Sequence, residues 1–123
     1  MKRVLAVDDE PAMGVLIKDV LAGLDFEVEV LESGRDFMSF YDEFAPDIIV
    51  LDVVMPDMDG LELLQFLAKK ECGARIIIVS GYDQIYLRSA TKIAEALDLQ
   101  LCGQLTKPVR AKELRAAIVG ETV

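Results

Sequence analysis

Two adjacent aspartates, Asp8 and Asp9, follow the apolar run Arg3 to Val7, with Glu10 directly behind them. Asp52 ends a second apolar run, Asp47 to Leu51. Ser80 ends a third, Arg75 to Val79, and Lys107 stands just past a fourth, Leu101 to Leu105. If these runs are strands of one parallel sheet, Asp8, Asp9, Asp52, Ser80 and Lys107 converge at its carboxyl edge, where open α/β sheets bind ligands. Asp8, Asp9 and Asp52 brought together repel unless they are protonated or bridged by a cation. All-oxygen ligation from few protein groups suits magnesium, which keeps several waters. Lys107 can set positive charge against a phosphoryl group and Ser80 can donate a hydrogen bond to it. Phosphoryl transfer depends mostly on such positioning and charge stabilisation. Asp52 is then the natural nucleophile, since carboxylates form acyl phosphates.

Taken singly, each residue has a plainer reading. Asp8 or Asp9 can cap the helix that follows, and Asp52 can be a turn residue. Ser80-Gly81 is an ordinary turn dipeptide, and Lys107 can be a solvated lysine before Pro108. Chance becomes unattractive only because four strand ends carry complementary chemistry at once.

The elements that must position these residues alternate strictly. Arg3 to Val7 reads as a strand. Pro11 fits the first turn of a helix, in which Met13, Leu16, Ile17, Val20, Leu21 and Leu24 follow the spacing of one buried face. Val28 to Leu31 is a weaker strand, because Glu27 and Glu29 alternate with apolar residues as on a sheet edge. A second helix runs from Gly34 to about Phe44, where Ala45 and Pro46 break it. Asp47 to Leu51 is a buried strand. A helix follows over Gly60 to Glu71, then the strand Arg75 to Val79. Asp83 to Leu97 forms a long helix with Tyr86, Ala90, Ile93 and Leu97 inward. The strand Leu101 to Leu105 and the helix Ala111 to Val119 close the series. Alternating strands and helices argue for a parallel sheet covered on both faces. Right-handed crossovers then leave a flavodoxin-like open sheet as the obvious topology.

A length of 123 residues suits one domain, and a 53% hydrophobic composition supplies a core without disulfides. Cys72 and Cys102 stand alone, as reduced thiols of a cytosolic protein do. The absence of histidine excludes Ser-His and Cys-His catalysis and His-based zinc sites. A net charge of −9 opposes direct nucleic-acid binding. No apolar run reaches the length of a membrane span, and no signal peptide is evident. The expected location is the cytoplasm.

The motifs VDDEP (Val7 to Pro11), LDVVMPDMDG (Leu51 to Gly60), VSG (Val79 to Gly81) and TKP (Thr106 to Pro108) together resemble those of bacterial two-component response-regulator receiver domains. The resemblance covers essentially the whole chain, residues 1–123, as one receiver domain. It implies a (βα)5 fold with strand order 2-1-3-4-5. It implies that Asp9 binds Mg2+ directly, that Asp8 does so mainly through water, and that Asp52 is both metal ligand and phosphoacceptor. The backbone carbonyl of Val54 completes the protein ligands. Ser80 and Lys107 contact the phosphoryl oxygens, and the Lys107–Pro108 bond is cis. The implied donor is a sensor histidine kinase or phosphotransfer protein. The implied output is a domain or partner protein reached through the fourth helix and fifth strand, with a homodimer compatible with the same surface. The domain catalyses only its own phosphorylation and dephosphorylation and is not otherwise an enzyme.

Three features depart from or qualify that pattern. The family's switch aromatic, three residues before the lysine, is here Gln104, which puts the usual signal route in doubt; the plainer reading is an exposed strand residue. Ser80 to Lys107 is several residues longer than usual, which predicts a longer fourth helix. This segment is similar to receivers fused to EAL-type cyclic-di-GMP phosphodiesterases, and implies a fragment of a larger regulator. Finally, Val54 and Tyr82 border the expected path of the hydrolytic water, and neither is a base or water-orienting carboxamide, so self-dephosphorylation is expected to be slow. Two other readings compete. A haloacid-dehalogenase-like phosphatase needs a second Asp where Val54 stands. A phosphorylation-independent pseudo-receiver is disfavoured by the intact acids, Ser80 and Lys107, while Gln104 keeps it open. A flavin-binding relative is weaker still, lacking a phosphate-cradling loop after the first strand.

Overall fold

A computed structural model describes residues 1–81 and 84–120 of the chain. Strands and helices alternate as β1 (Lys2–Val7), α1 (Pro11–Leu21), β2 (Phe26–Leu31), α2 (Gly34–Phe44), β3 (Ile48–Asp52), α3 (Gly60–Lys69), β4 (Arg75–Ser80), α4 (Gln84–Ala96), β5 (Gln100–Thr106) and α5 (Ala111–Val119). The strands form one parallel sheet in the order β2-β1-β3-β4-β5. This is the flavodoxin-like (βα)5 arrangement expected from the alternation.

The three central strands are buried on both faces, and their side chains divide by strict alternation. Leu5, Val7, Ile49, Leu51, Ile76 and Ile78 pack with α2, α3 and α4. Val4, Ala6, Ile48, Val50, Ile77 and Val79 pack with α1 and α5. The edges differ. In β2, exposed Glu27 and Glu29 alternate with half-buried residues, as the sequence predicts, although the strand begins earlier, at Phe26. In β5 the register with β4 slips between Ile76 and Ile77: Ile76 faces Leu101 but Ile77 faces Gly103, so Cys102 is the extra residue of a bulge.

Helix starts follow local chemistry. Pro11 occupies the first turn of α1. Ser33 Oγ accepts from Asp36 N at 3.1 Å to cap α2, and Asp59 Oδ1 accepts from Leu61 N at 3.0 Å to cap α3. In α1 the anticipated face is inward, with Met13, Ile17 and Leu21 buried and Leu16, Val20 and Leu24 partly so. The inner face of α4 is rotated from the expected one. Leu87, Ala90, Thr91 and Ala94 are buried, while Tyr86, Ile93 and Leu97 are half-buried. Small side chains let α4 approach β4 and β5 closely, and Thr91 satisfies its hydroxyl by donating to Leu87 O at 2.8 Å. At 13 residues α4 is the longest described helix, in line with the length of the Ser80–Lys107 segment. Asp83, read as its first residue, lies outside the described residues.

The β3–α3 loop closes on a glycine with no spare room. A Cβ on Gly60 would stand 2.6 Å from both Cα and O of Val53. Gly60 N donates to Val53 O at 3.2 Å, so the helix start cannot move away without breaking the loop. Gly60→Ala is therefore expected to destabilise the fold by about 1–3 kcal/mol, the usual range for overpacking; the urea midpoint checks this.

Candidate functional site

Alternation along the strands decides which polar residues meet. Asp8 continues the row of Val4 and Ala6, Asp52 that of Ile48 and Val50, and Lys107 that of Leu105, all on the α1/α5 side. The three side chains converge accordingly. Lys107 Nζ lies 3.0 Å from Asp8 Oδ2 and 3.3 Å from Asp52 Oδ2, and it also donates to Glu10 Oε1. Asp8 and Asp52 are 3% and 2% exposed, which decides their electrostatics. The backbone holds both acids: Glu10 N donates to Asp8 Oδ1 and Val54 N to Asp52 Oδ1, each at 2.9 Å.

Ser80 and Lys107 are registered by the sheet itself. Lys107 N donates to Ser80 O at 2.9 Å, and the Lys107–Pro108 peptide is cis. Ser80 Oγ is buried and has no hydrogen-bond partner among the described residues. A buried hydroxyl without a partner is uncommon, and this one leaves a donor for a group bound at the edge.

Asp8, Asp9 and Asp52 each offer a carboxylate oxygen, and these oxygens all lie within 4.8 Å of one another. This oxygen-only set, with two members fixed by backbone N–H groups, fits a hard divalent cation. The backbone N–H of Val54 is engaged by Asp52, and Val54 is 40% exposed. Tyr82 lies outside the described residues.

The electrostatics follow from burial. Asp52 is pushed up to about 6 from an ordinary 3.8, first by burial and then by the Asp8 charge, against the pull of Val54 N–H and Lys107. Asp8 is raised as well, again chiefly by burial. Burial lowers Lys107, but its hydrogen bonds to Glu10 and Asp8 and the charge of Asp52 outweigh this and raise it.

Several contacts were not foreseen from the residue pattern. Glu10 binds Lys107, although it reads in sequence only as the third acid of a run. Asp57 accepts from Gly34 N at 3.2 Å and from Arg35 N at 3.3 Å, capping α2 from the β3–α3 loop. Tyr86 OH donates to Asp59 Oδ1 at 2.6 Å, tying the start of α4 to the same loop. Gln104 is exposed on β5, opposite Ile78, which agrees with its plainer reading. Next to Lys107, an open groove of about 370 Å³ is lined by Ala12, Met13, Leu16, Gly81, Pro108 and Val109.

Because the folded protein raises the Asp52 carboxyl, ionising it favours the unfolded chain. The contribution of Asp52 to stability is full below about pH 4 and is lost as pH rises through about 6. Asp52→Asn is expected to stabilise the metal-free protein at pH 7.5 by about 1–2 kcal/mol, with little difference at pH 4. Urea titrations of both proteins in EDTA at the two pH values check this; an Asn variant no more stable at pH 7.5 contradicts it.

The family model described as "Response regulator receiver domain" matches residues 4–119. The chemotaxis protein CheY of Bacillus subtilis is 32% identical over 117 residues, covering 94% of this chain and 93% of that protein. The transcriptional regulatory protein TrcR of Mycobacterium tuberculosis is 34% identical over 118 residues, covering 96% of this chain but 44% of its own length. The chain thus spans less than half of that relative and nearly all of the other. The crystal structure of a response regulator from Colwellia psychrerythraea superposes with a TM-score of 0.81 at 34% identity, covering 97% of this chain and 94% of that one. With the fold, the acidic edge and these relatives in agreement, the chain belongs to the response regulator receiver domain family, the signalling modules of two-component systems.

Proposed function

We propose that residues 1–123 act as one phosphoacceptor domain in which Asp52 takes a phosphoryl group from a histidine of a sensor kinase or phosphotransfer protein. The observation that carries this reading is the buried carboxylate of Asp52 with the Lys107 ammonium 3.3 Å away and the Ser80 hydroxyl, without a partner among the described residues, on the adjoining strand. An Asp52 oxygen forms a bond to phosphorus as the bond from phosphorus to the donor nitrogen breaks, and the electron pair leaves on the imidazole. Lys107 then balances charge on the transferred group, and Ser80 donates to one of its oxygens. Receiver domains bind Mg2+ at their acidic pocket. Here Asp8, Asp9, Asp52 and the Val54 carbonyl would hold it, and its chemistry is to neutralise the carboxylates and the phosphoryl oxygens.

The groove between α1 and the segment after β5 adjoins Lys107, so a protein donor reaching Asp52 covers it. Output is expected on the α4–β5 face, where Gln104 is exposed, toward a linked domain or a separate partner. A homodimer would use that face too. The module transfers phosphoryl groups only to and from itself. No described helix is long and apolar enough to cross a membrane, and the cytoplasm is the location that fits a kinase-fed switch. The pseudo-receiver alternative has no observation in its favour, since the acids, Ser80 and Lys107 are together at one edge.

Incubation with Mg2+ and acetyl phosphate or phosphoramidate is expected to add one phosphoryl mass to the intact chain. The increment should be absent from Asp52→Asn and in EDTA. A chain that gains no mass and binds no beryllofluoride would refute the reading. Because neither Val54, two residues past the acceptor, nor Tyr82, two past Ser80 in sequence, is of a residue type that activates water, the phosphorylated form should persist for minutes or longer after removal of the donor. Loss within seconds, followed by mass spectrometry, contradicts this.

A further inference from the structure

The proposed transfer leaves Glu10 without a role, yet this residue touches Lys107 directly. It stands at the N-cap of α1 but makes no side-chain capping bond, the task usual at that position. Its carboxylate turns instead to the ammonium of Lys107. An ammonium has three N–H donors and no more. Those of Lys107 go to Asp8, Glu10 and Asp52. A phosphoryl oxygen arriving at Asp52 needs one of them.

The three partners are not equally replaceable. Asp8 and Asp52 are buried, with side chains 3% and 2% exposed, and backbone N–H groups fix both. The Glu10 side chain is 58% exposed, so water can take up its carboxylate when it lets go. We infer that Glu10 is a competitive lock on Lys107: it occupies the donor that a phosphoryl oxygen must take and is displaced when the acceptor site is loaded. The inference rests on the phosphoacceptor reading above. Glu10 is here a positioning residue; it sets where the lysine points and touches no reacting atom.

Charge and reach can be separated by substitution. Glu10→Gln removes the charge, and Glu10→Asp keeps it but shortens the arm. Glu32→Gln is the control, because Glu32 lies in the same depression as Asp8 and Glu10 without a contact to Lys107. The measurement is the affinity for beryllofluoride in Mg2+, from amide NMR titrations of the intact chain. Both Glu10 variants are expected to bind about two- to fivefold more tightly than the parent, the size of a half-exposed ion pair, with Glu32→Gln unchanged. In the metal-free protein, amine labelling of Lys107 should also be faster in both. Parent-like affinity in either Glu10 variant, an equal gain in Glu32→Gln, or unchanged labelling would overturn the lock. If none of the proteins, the parent included, binds beryllofluoride, the phosphoacceptor reading falls and the lock with it.

Discussion

Two carboxylates buried side by side, with one ammonium between them, are the constraint around which this domain is organised. Asp8 and Asp52 cannot both ionise comfortably when buried together, because burial raises both and the Asp8 charge raises Asp52 further. Lys107 offsets only part of this, since a single positive charge faces three acids. The site is thus held short of electrostatic balance, and a cation is the ligand that would restore it. Breaking such a cluster by removing its cation partner leaves an uncompensated buried charge, which is why Lys107 belongs to the fold as well as to the chemistry.

The rest of the architecture supplies the stiffness that this arrangement needs. The central strands carry aliphatic side chains on both faces, and the two sets of helices cover them. A close-packed sheet of this kind does not yield to local repulsion. The acids sit where the ladder hydrogen bonds end and loops begin, so backbone N–H groups are available to hold them. Val54 N on Asp52 and Glu10 N on Asp8 use that position. Gly60 permits the β3–α3 loop to fold back against Val53, close enough that no other residue fits.

The loop after β3 also joins the acceptor to the outer surface. Asp57 caps α2, Asp59 caps α3 and receives the Tyr86 hydroxyl from α4. A shift at Val54 therefore meets fixed connections to three helices. Gln104, on the exposed side of β5, makes no comparable bridge among the contacts described. The tie between the acceptor loop and α4 runs through Tyr86, at the opposite end of the segment whose length departs from the family pattern.

Much of this was legible in the chain alone. Unbroken runs such as Ile48–Leu51 and Ile76–Val79 can be stable only with both faces covered, which dictates a parallel sheet and its helices. Parallel strands then bring Asp8, Asp9, Asp52, Ser80 and Lys107 to one edge, because every strand ends on the same side of the sheet, and alternation sets Asp8, Asp52 and Lys107 on one face of it. The bulge at Cys102, the rotated inner face of α4 and the contacts of Glu10, Asp57 and Tyr86 were not legible. Each depends on how closely two elements approach and on where a long side chain finds its partner, across separations of 97 residues for Glu10 and Lys107 and 27 for Tyr86 and Asp59. Periodicity determines which face of an element is buried against the sheet; only tertiary packing decides which of several equivalent charges a lysine reaches.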